Sequence, residues 1–295
     1  MTHQTSASNE AELVRIRTDD GLTLVADRYG PADGQPVIFM HGGGQTRHSW
    51  GGTAATMARR GCSAFTCDHR GHGDSDWSAE AAYAFEDNAR DLRAWAASMP
   101  RPPVVIGASL GGIAGMLALG HAPKVAARAL VLVDIAPLME RTGTERIIAF
   151  MRRNMVSGFA TLEEAAEEVR SYTPERERAI DLNSIRKNLR QRDGRWYWHW
   201  DPNCLKDSDS EDMEQLHQRL CDGVRAIDCP ILLVRGRHSD VASPESAEHL
   251  LSLRPDAVCV DVSGAGHMVA GDRNDVFTDA VLDFLQDHVP LTKVA

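Results

Sequence analysis

Apolar positions along the chain fall into two textures. Short runs of consecutive apolar residues bounded by glycine, proline or aspartate alternate with longer stretches in which apolar residues recur every three or four positions. The first texture predicts buried strands at Pro36 to His41, Cys62 to Asp68, Val104 to Ile106, Ala129 to Asp134, Pro230 to Gly236 and Ala257 to Val262, while Leu13 to Thr18, which alternates, and Leu22 to Tyr29, joined to it across an Asp19-Asp20-Gly21 turn, predict an antiparallel edge. The second predicts helices over Trp50 to Arg60, Phe85 to Ala97, Leu110 to His121, from near Pro244, and over Asn274 to Gln286. Strands without alternation, separated by helices of ten or more residues, predict βαβ units and a mostly parallel sheet.

Between Leu138 and about Asp222 the strand texture disappears. Ile147, Ile148, Met151 and Met155 form one helical stripe, Leu162, Ala166 and Val169 a second, and Leu182, Ile185 and Leu189 a third, which predicts a helical insertion. Within it, Trp196-Tyr-Trp-His-Trp200 concentrates three of the chain's six tryptophans, a density that suits either a local core or the wall of a pocket. Trp196, Trp198, Trp200 and Met268 are the candidate pocket residues.

At 295 residues with 43% apolar content, the chain is long enough for a sizeable core. A net charge of −10 argues against a nucleic-acid or anionic-membrane partner, each of which needs a basic face. The six cysteines form no CxxC pair, no Cys/His zinc spacing and no dense disulfide framework, so they read as reduced and mostly buried, and no metal or cofactor is expected. Residues 1–11 are polar, without a secretory pattern, and are expected to be flexible. No apolar run is long enough to span a bilayer, and the expected location is the cytoplasm. Oligomeric state is not legible.

One stretch carries the chemistry. Val104 to Gly115 joins an apolar strand to a helix through Gly107-Ala-Ser-Leu-Gly111, the pattern of a nucleophile elbow with Ser109 at its apex. The chain must reverse within about two residues there, so bulky neighbours would collide. The turn also places the Leu110 N–H at a helix N-terminus, where it can stabilise an oxyanion. A serine hydroxyl needs a base, and that base needs an orienting acid. Asp240 and His267 each follow a predicted strand and complete the order serine, acid, histidine; Asp240 is preferred over Asp134, which ends the strand after the elbow helix.

These residues, with His41-Gly-Gly and Trp50 downstream of it, Asp68-His-Arg-Gly-His-Gly-Asp-Ser75, Arg235-Gly-Arg-His-Ser-Asp240 and Gly264-Ala-Gly-His267, closely resemble the α/β-hydrolase superfamily over roughly residues 12 to 288. The similarity is greatest to its cap-bearing group of small-molecule esterases, cofactor-free haloperoxidase-like enzymes, C–C bond hydrolases and epoxide hydrolases. The resemblance implies an α/β-hydrolase fold, with an eight-stranded, mostly parallel sheet flanked by helices. Residues 12–137 and 223–295 would be the core and 138–222 a helical cap inserted after the sixth strand. It also implies that Gly43 supplies the second oxyanion N–H beside Leu110, and that Asp134 is an alternative acid position. Relatives with an aspartate nucleophile run chemistries that Ser109 does not fit.

The expected activity is hydrolysis of a small-to-medium apolar ester or lactone through an acyl-enzyme. C–C bond hydrolysis with the same triad is the second reading, favoured if Arg152, Arg153 or Arg192 points into the cleft. A slow-turnover ligand receptor is the third. Arg70 and Asp74 read as braces of a glycine-rich turn.

Overall fold

The computed structural model describes residues 11–172, 181–206, 212–267 and 274–289. The expected flexible segment 1–11 falls almost wholly outside them, and Met268 lies outside them entirely. The chain forms an eight-stranded sheet from β1 (Glu12–Arg17), β2 (Thr23–Tyr29), β3 (Gln35–Met40), β4 (Cys62–Cys67), β5 (Val104–Ala108), β6 (Ala129–Val133), β9 (Ile231–Gly236) and β10 (Val258–Val262). Their spatial order is β1-β2-β4-β3-β5-β6-β9-β10. The β1–β2 and β2–β4 pairings are antiparallel and the rest parallel, with Val104 beside Val37, Val105 beside Leu130 and Leu132 beside Leu233. This is the α/β-hydrolase fold.

Every residue of β3, β4, β6 and β9 is buried, which is why these strands read as continuous apolar runs. Helices cover both faces. On one, α2 (Phe85–Ala97), α3 (Leu110–Gly120), α7 (Met213–Ala226) and α8 (Pro244–Leu253) bury Leu92, Trp95, Met116, Leu220 and Leu250. On the other, α1 (Gly51–Arg59) and α9 (Asn274–His288) bury Ala54, Met57, Phe277 and Val281 beside Trp50.

Between β6 and β9 the chain leaves the sheet through α4 (Arg141–Arg152), α5 (Leu162–Tyr172) and α6 (Leu182–Arg186) before returning in α7. The segment is not wholly helical. Leu189 does not extend a helical stripe; it begins β7 (Leu189–Arg192), which pairs antiparallel with β8 (Arg195–Trp198). The reason is local: Asp193 and Gly194 both adopt positive φ, 50° and 76°, the geometry of a two-residue hairpin turn that an Asp-Gly pair favours. The expected 222/223 boundary falls inside α7, a helix that packs against α3 where a Cβ on Gly120 would lie 2.4 Å from the Gly223 Cα.

Among the described residues, no helix is long and apolar enough to cross a membrane.

Candidate active site

Ser109 stands between β5 and α3 with φ 46° and ψ −112°, a conformation rare outside glycine that costs about 1–3 kcal/mol and persists only where the surroundings enforce it. The elbow glycines do so. A Cβ on Gly107 would fall 2.3 Å from the Gly111 carbonyl oxygen, and one on Gly111 would fall 2.4 Å from that of Met40. The Ser109 carbonyl accepts from Gly112 N–H at 2.9 Å and Ile113 N–H at 3.0 Å, starting the helix. The N–H of Leu110 belongs to the first turn, whose donors have no acceptor within the helix.

The glycine loop after β3 lies against the elbow. A Cβ on Gly42 would be in contact with the Ser109 Cβ at 3.4 Å. Gln45 N–H donates to the Gly42 carbonyl at 3.1 Å, Gln45 Oε1 accepts from Gly42 N–H at 3.3 Å, and Gly44 N–H donates to His72 Nε2 at 3.2 Å. These bonds fix the loop on both sides of Gly43, which shares a cavity wall with Ser109 and Leu110.

His72 belongs to a fully buried group of histidines that underlies this loop. Ring centroids lie 4.7 Å apart for His41 and His69, 5.3 Å for His41 and His72, and 5.7 Å for His72 and His199. Burial pushes His69 down to about 3 and His72 to about 4, and takes His41 and His199 well below the usual imidazole range. Neutral rings fit their bonds: His72 Nε2 accepts from Gly44, and His199 Nδ1 accepts from Gly73 N–H at 2.8 Å. The same turn is braced by charge. Arg70 pairs with Asp91 and Asp20, and Arg47 with Asp68, Asp27 and Asp74, so Arg70 and Asp74 hold the turn as the sequence predicts.

The acid differs from the expected one. His267 Nδ1–H donates to Asp134 Oδ2 at 2.7 Å, and the Asp134 carboxylate is fully buried. It also accepts from Gly236 N–H at 2.8 Å and from the Ser239 hydroxyl. Asp240 points elsewhere: its carboxylate is 36% exposed and pairs with Arg146 Nη1 at 2.8 Å. Helix α4 explains this orientation. Gly143 packs so closely that a Cβ there would lie 2.0 Å from the Asp240 carbonyl oxygen, and Arg146, three residues on, meets the side chain. Asp134, at φ 52° directly after β6, is placed on the sheet edge beside the elbow, where Ser109 N–H donates to the Val133 carbonyl at 3.3 Å. A carboxylate on imidazole Nδ1–H fixes the tautomer whose Nε2 can take a proton from a hydroxyl.

Ser109, Leu110 and Gly43 open into a cavity of about 470 Å³, a volume suited to a small ligand. Much of its wall is aliphatic, with Ile135, Ile147, Ile148, Met151, Leu216 and Val241. The tryptophan run is not part of that lining. Trp198 stacks on Trp200 at 4.9 Å and meets Phe159 edge-on at 5.0 Å, inside a core behind that wall, shared with Met151, Ile185 and Leu189. Trp196 packs at its margin and pairs with Phe159 through backbone bonds. The pocket expectation for these three is therefore corrected to a structural role. The wall comes instead from α4, whose Ile147/Ile148/Met151 stripe was legible, from the start of α2, and from Ala81, Ala82, Tyr83 and Ala84 before it, which carried no sequence signal.

The residues 37–280 match the family model described as "Alpha/beta hydrolase family". The chain belongs to the α/β-hydrolase family. As a member of it, the protein is an enzyme of the hydrolase class. It is 28% identical to a 3-hydroxybutyrate-oligomer hydrolase of Cupriavidus necator, across 89% of this chain and 93% of that one. With an esterase of Mycobacterium tuberculosis it shares 30% identity, across 80% and 78% of the two chains. The solved structure of an α/β hydrolase from Novosphingobium aromaticivorans superposes with a TM-score of 0.76 at 25% identity, covering 95% of this chain and 99% of that one.

Proposed function

We propose that this α/β-hydrolase cleaves a small-to-medium apolar carboxylic ester or lactone through an acyl-enzyme. The observation that carries the reading is the bond between His267 and the buried Asp134 on the sheet edge where Ser109 is held at positive φ. Ser109 attacks the acyl carbonyl while His267 takes its proton, and Asp134 orients and stabilises the imidazolium. The Gly43 and Leu110 N–H groups bind the oxyanion. His267 then returns the proton to the leaving alcohol and activates the water that releases the acid. The segment 138–222 acts as the cap, with α4 laid over the acyl site, and the aliphatic wall favours an uncharged acyl chain. The esterase and the oligomer hydrolase among its relatives are consistent with ester substrates.

The C–C hydrolase reading draws no support from the arginines it needs. Arg152 reaches the Leu205 carbonyl, Arg153 pairs with Glu168, and Arg192 lies over the Tyr197 ring, and none lines the cavity.

The test compares p-nitrophenyl acetate, butyrate and octanoate with wild type and Ser109→Ala, alongside fluorophosphonate labelling. Turnover and labelling are expected in wild type and absent in the variant. Equal rates in both would end the proposal, and turnover below a few per minute on every ester would favour a receptor.

A further inference from the structure

Away from the sheet edge, two helices bring together three side chains that the sequence reading did not connect. His217 and Cys221 lie four residues apart on α7 and so share a helix face. His249, on α8, closes against them. Cys221 Sγ is 3.6 Å from His217 Nε2 and 3.4 Å from His249 Nε2, and the two rings lie 5.2 Å apart at 32°. One donor atom from each residue fits within 4.8 Å of the others.

We propose that His217, Cys221 and His249 form a binding site for a borderline-soft divalent transition metal, of which Zn²⁺ is the best match. The distances carry the argument. With Zn–S near 2.3 Å and Zn–N near 2.0 Å, tetrahedral angles place sulfur and nitrogen ligands about 3.5 Å apart, which is the spacing found here before any rearrangement. The tautomer is also set. His217 Nδ1–H donates to the Pro137 carbonyl at 3.0 Å, the outer-shell bond that leaves Nε2 with its lone pair free for a metal.

Cys221 is buried and the two histidines are half-buried, so the fourth position opens to water. On binding, the Cys221 thiol releases its proton to solvent and the sulfur coordinates as thiolate, while both imidazoles bind neutral. Arg225, a cation on the same helix, is paired with Asp222 at 3.0 Å, which limits its repulsion of the metal. A metal here would clamp α7 to α8. Leu216, beside the first ligand, lines the catalytic cavity, and Pro137 precedes the insertion, so the clamp would brace the segment's return to the core.

The test uses tag-free, reduced full-length protein titrated with Co²⁺ and then Zn²⁺. One Co²⁺ per chain is expected, with a near-ultraviolet thiolate-to-cobalt band and the visible bands of tetrahedral cobalt, all displaced by Zn²⁺. Cys221→Ser should abolish the near-ultraviolet band, and His249→Ala should weaken binding at least tenfold. Zinc should raise Tm in wild type, increasingly with concentration, and raise it less in both variants at every concentration. His249 is a half-buried residue of an outer helix, so its variant keeps the test open if substitutions on α7 impair folding. Absence of the thiolate band in wild type, or equal binding by the variants, overturns the proposal. None of these readouts depends on ester hydrolysis.

Discussion

His267 reaches across the end of β9 to place its Nδ1–H 2.7 Å from the carboxylate of Asp134, which directly follows β6, while Asp240, in the nearer loop, turns out to Arg146. The acid is thus presented from the strand beside the elbow.

Two single substitutions separate these roles. Asp134→Asn is expected to lower kcat by about 10³–10⁴-fold, because the amide removes the charge that stabilises the imidazolium and can disturb its tautomer. Asp240→Asn should stay within about threefold of wild type, since an exposed ion pair contributes only about 0–1 kcal/mol. Steady-state kinetics on a p-nitrophenyl ester decide it. A large loss in Asp240→Asn with an active Asp134→Asn would reverse the assignment.

Acid should unfold the protein through the histidines beneath the glycine loop. With His72 pushed to about 4 and His69 to about 3, the native state binds fewer protons than the unfolded chain below the ordinary imidazole value of about 6.5. Their contribution is therefore full above about pH 6.5 and is lost as pH falls toward 4, on the order of 3 kcal/mol for one such ring. Asp91, raised to about 6 mainly by burial, and Asp68, also raised by burial, have the opposite sign, but they are two groups against four histidines. The urea midpoint should drop between pH 7 and pH 4.5, with a shallower drop in His72→Gln. A midpoint that is flat or rises on acidification contradicts this.

Trp198 and Met151, members of one apolar cluster of which only Met151 lines the cavity, should respond differently to truncation. Trp198→Ala removes a ring stacked in a closed core and is expected to cost about 3–5 kcal/mol with little change in acyl preference. Met151, which touches the glycine loop and the cavity, should instead tune chain length: Met151→Ala is expected to shift preference from acetate toward longer acyl esters. Urea denaturation and the ratio of kcat/KM for octanoate over acetate measure the two effects. A changed ratio in Trp198→Ala alone would put the tryptophans back in the pocket.

Much of this architecture was readable in one dimension. All eight predicted runs became strands, those of β3, β4, β6 and β9 unbroken because both faces are buried and that of β1 alternating because it is not, and the elbow was legible because crowding at Gly107 and Gly111 excludes any side chain. The hairpin was also written locally, in Asp193-Gly194, where helical periodicity through Leu189 masked the turn.

What the sequence by itself determined is the set of local conformations, the strand-to-helix turn at Ser109 among them, since backbone sterics and strand burial act on neighbouring residues. What only the tertiary structure decided is which distant groups meet. Asp134 and Asp240 both follow parallel strands at the same sheet edge, and the choice between them lies in how α4 packs on the Asp240 loop, a contact between elements far apart in the chain. The tryptophans' inward turn and the meeting of His217, Cys221 and His249 were hidden for the same reason. Side-chain direction across a packed interface depends on the relative placement of whole elements, and no local spacing encodes it.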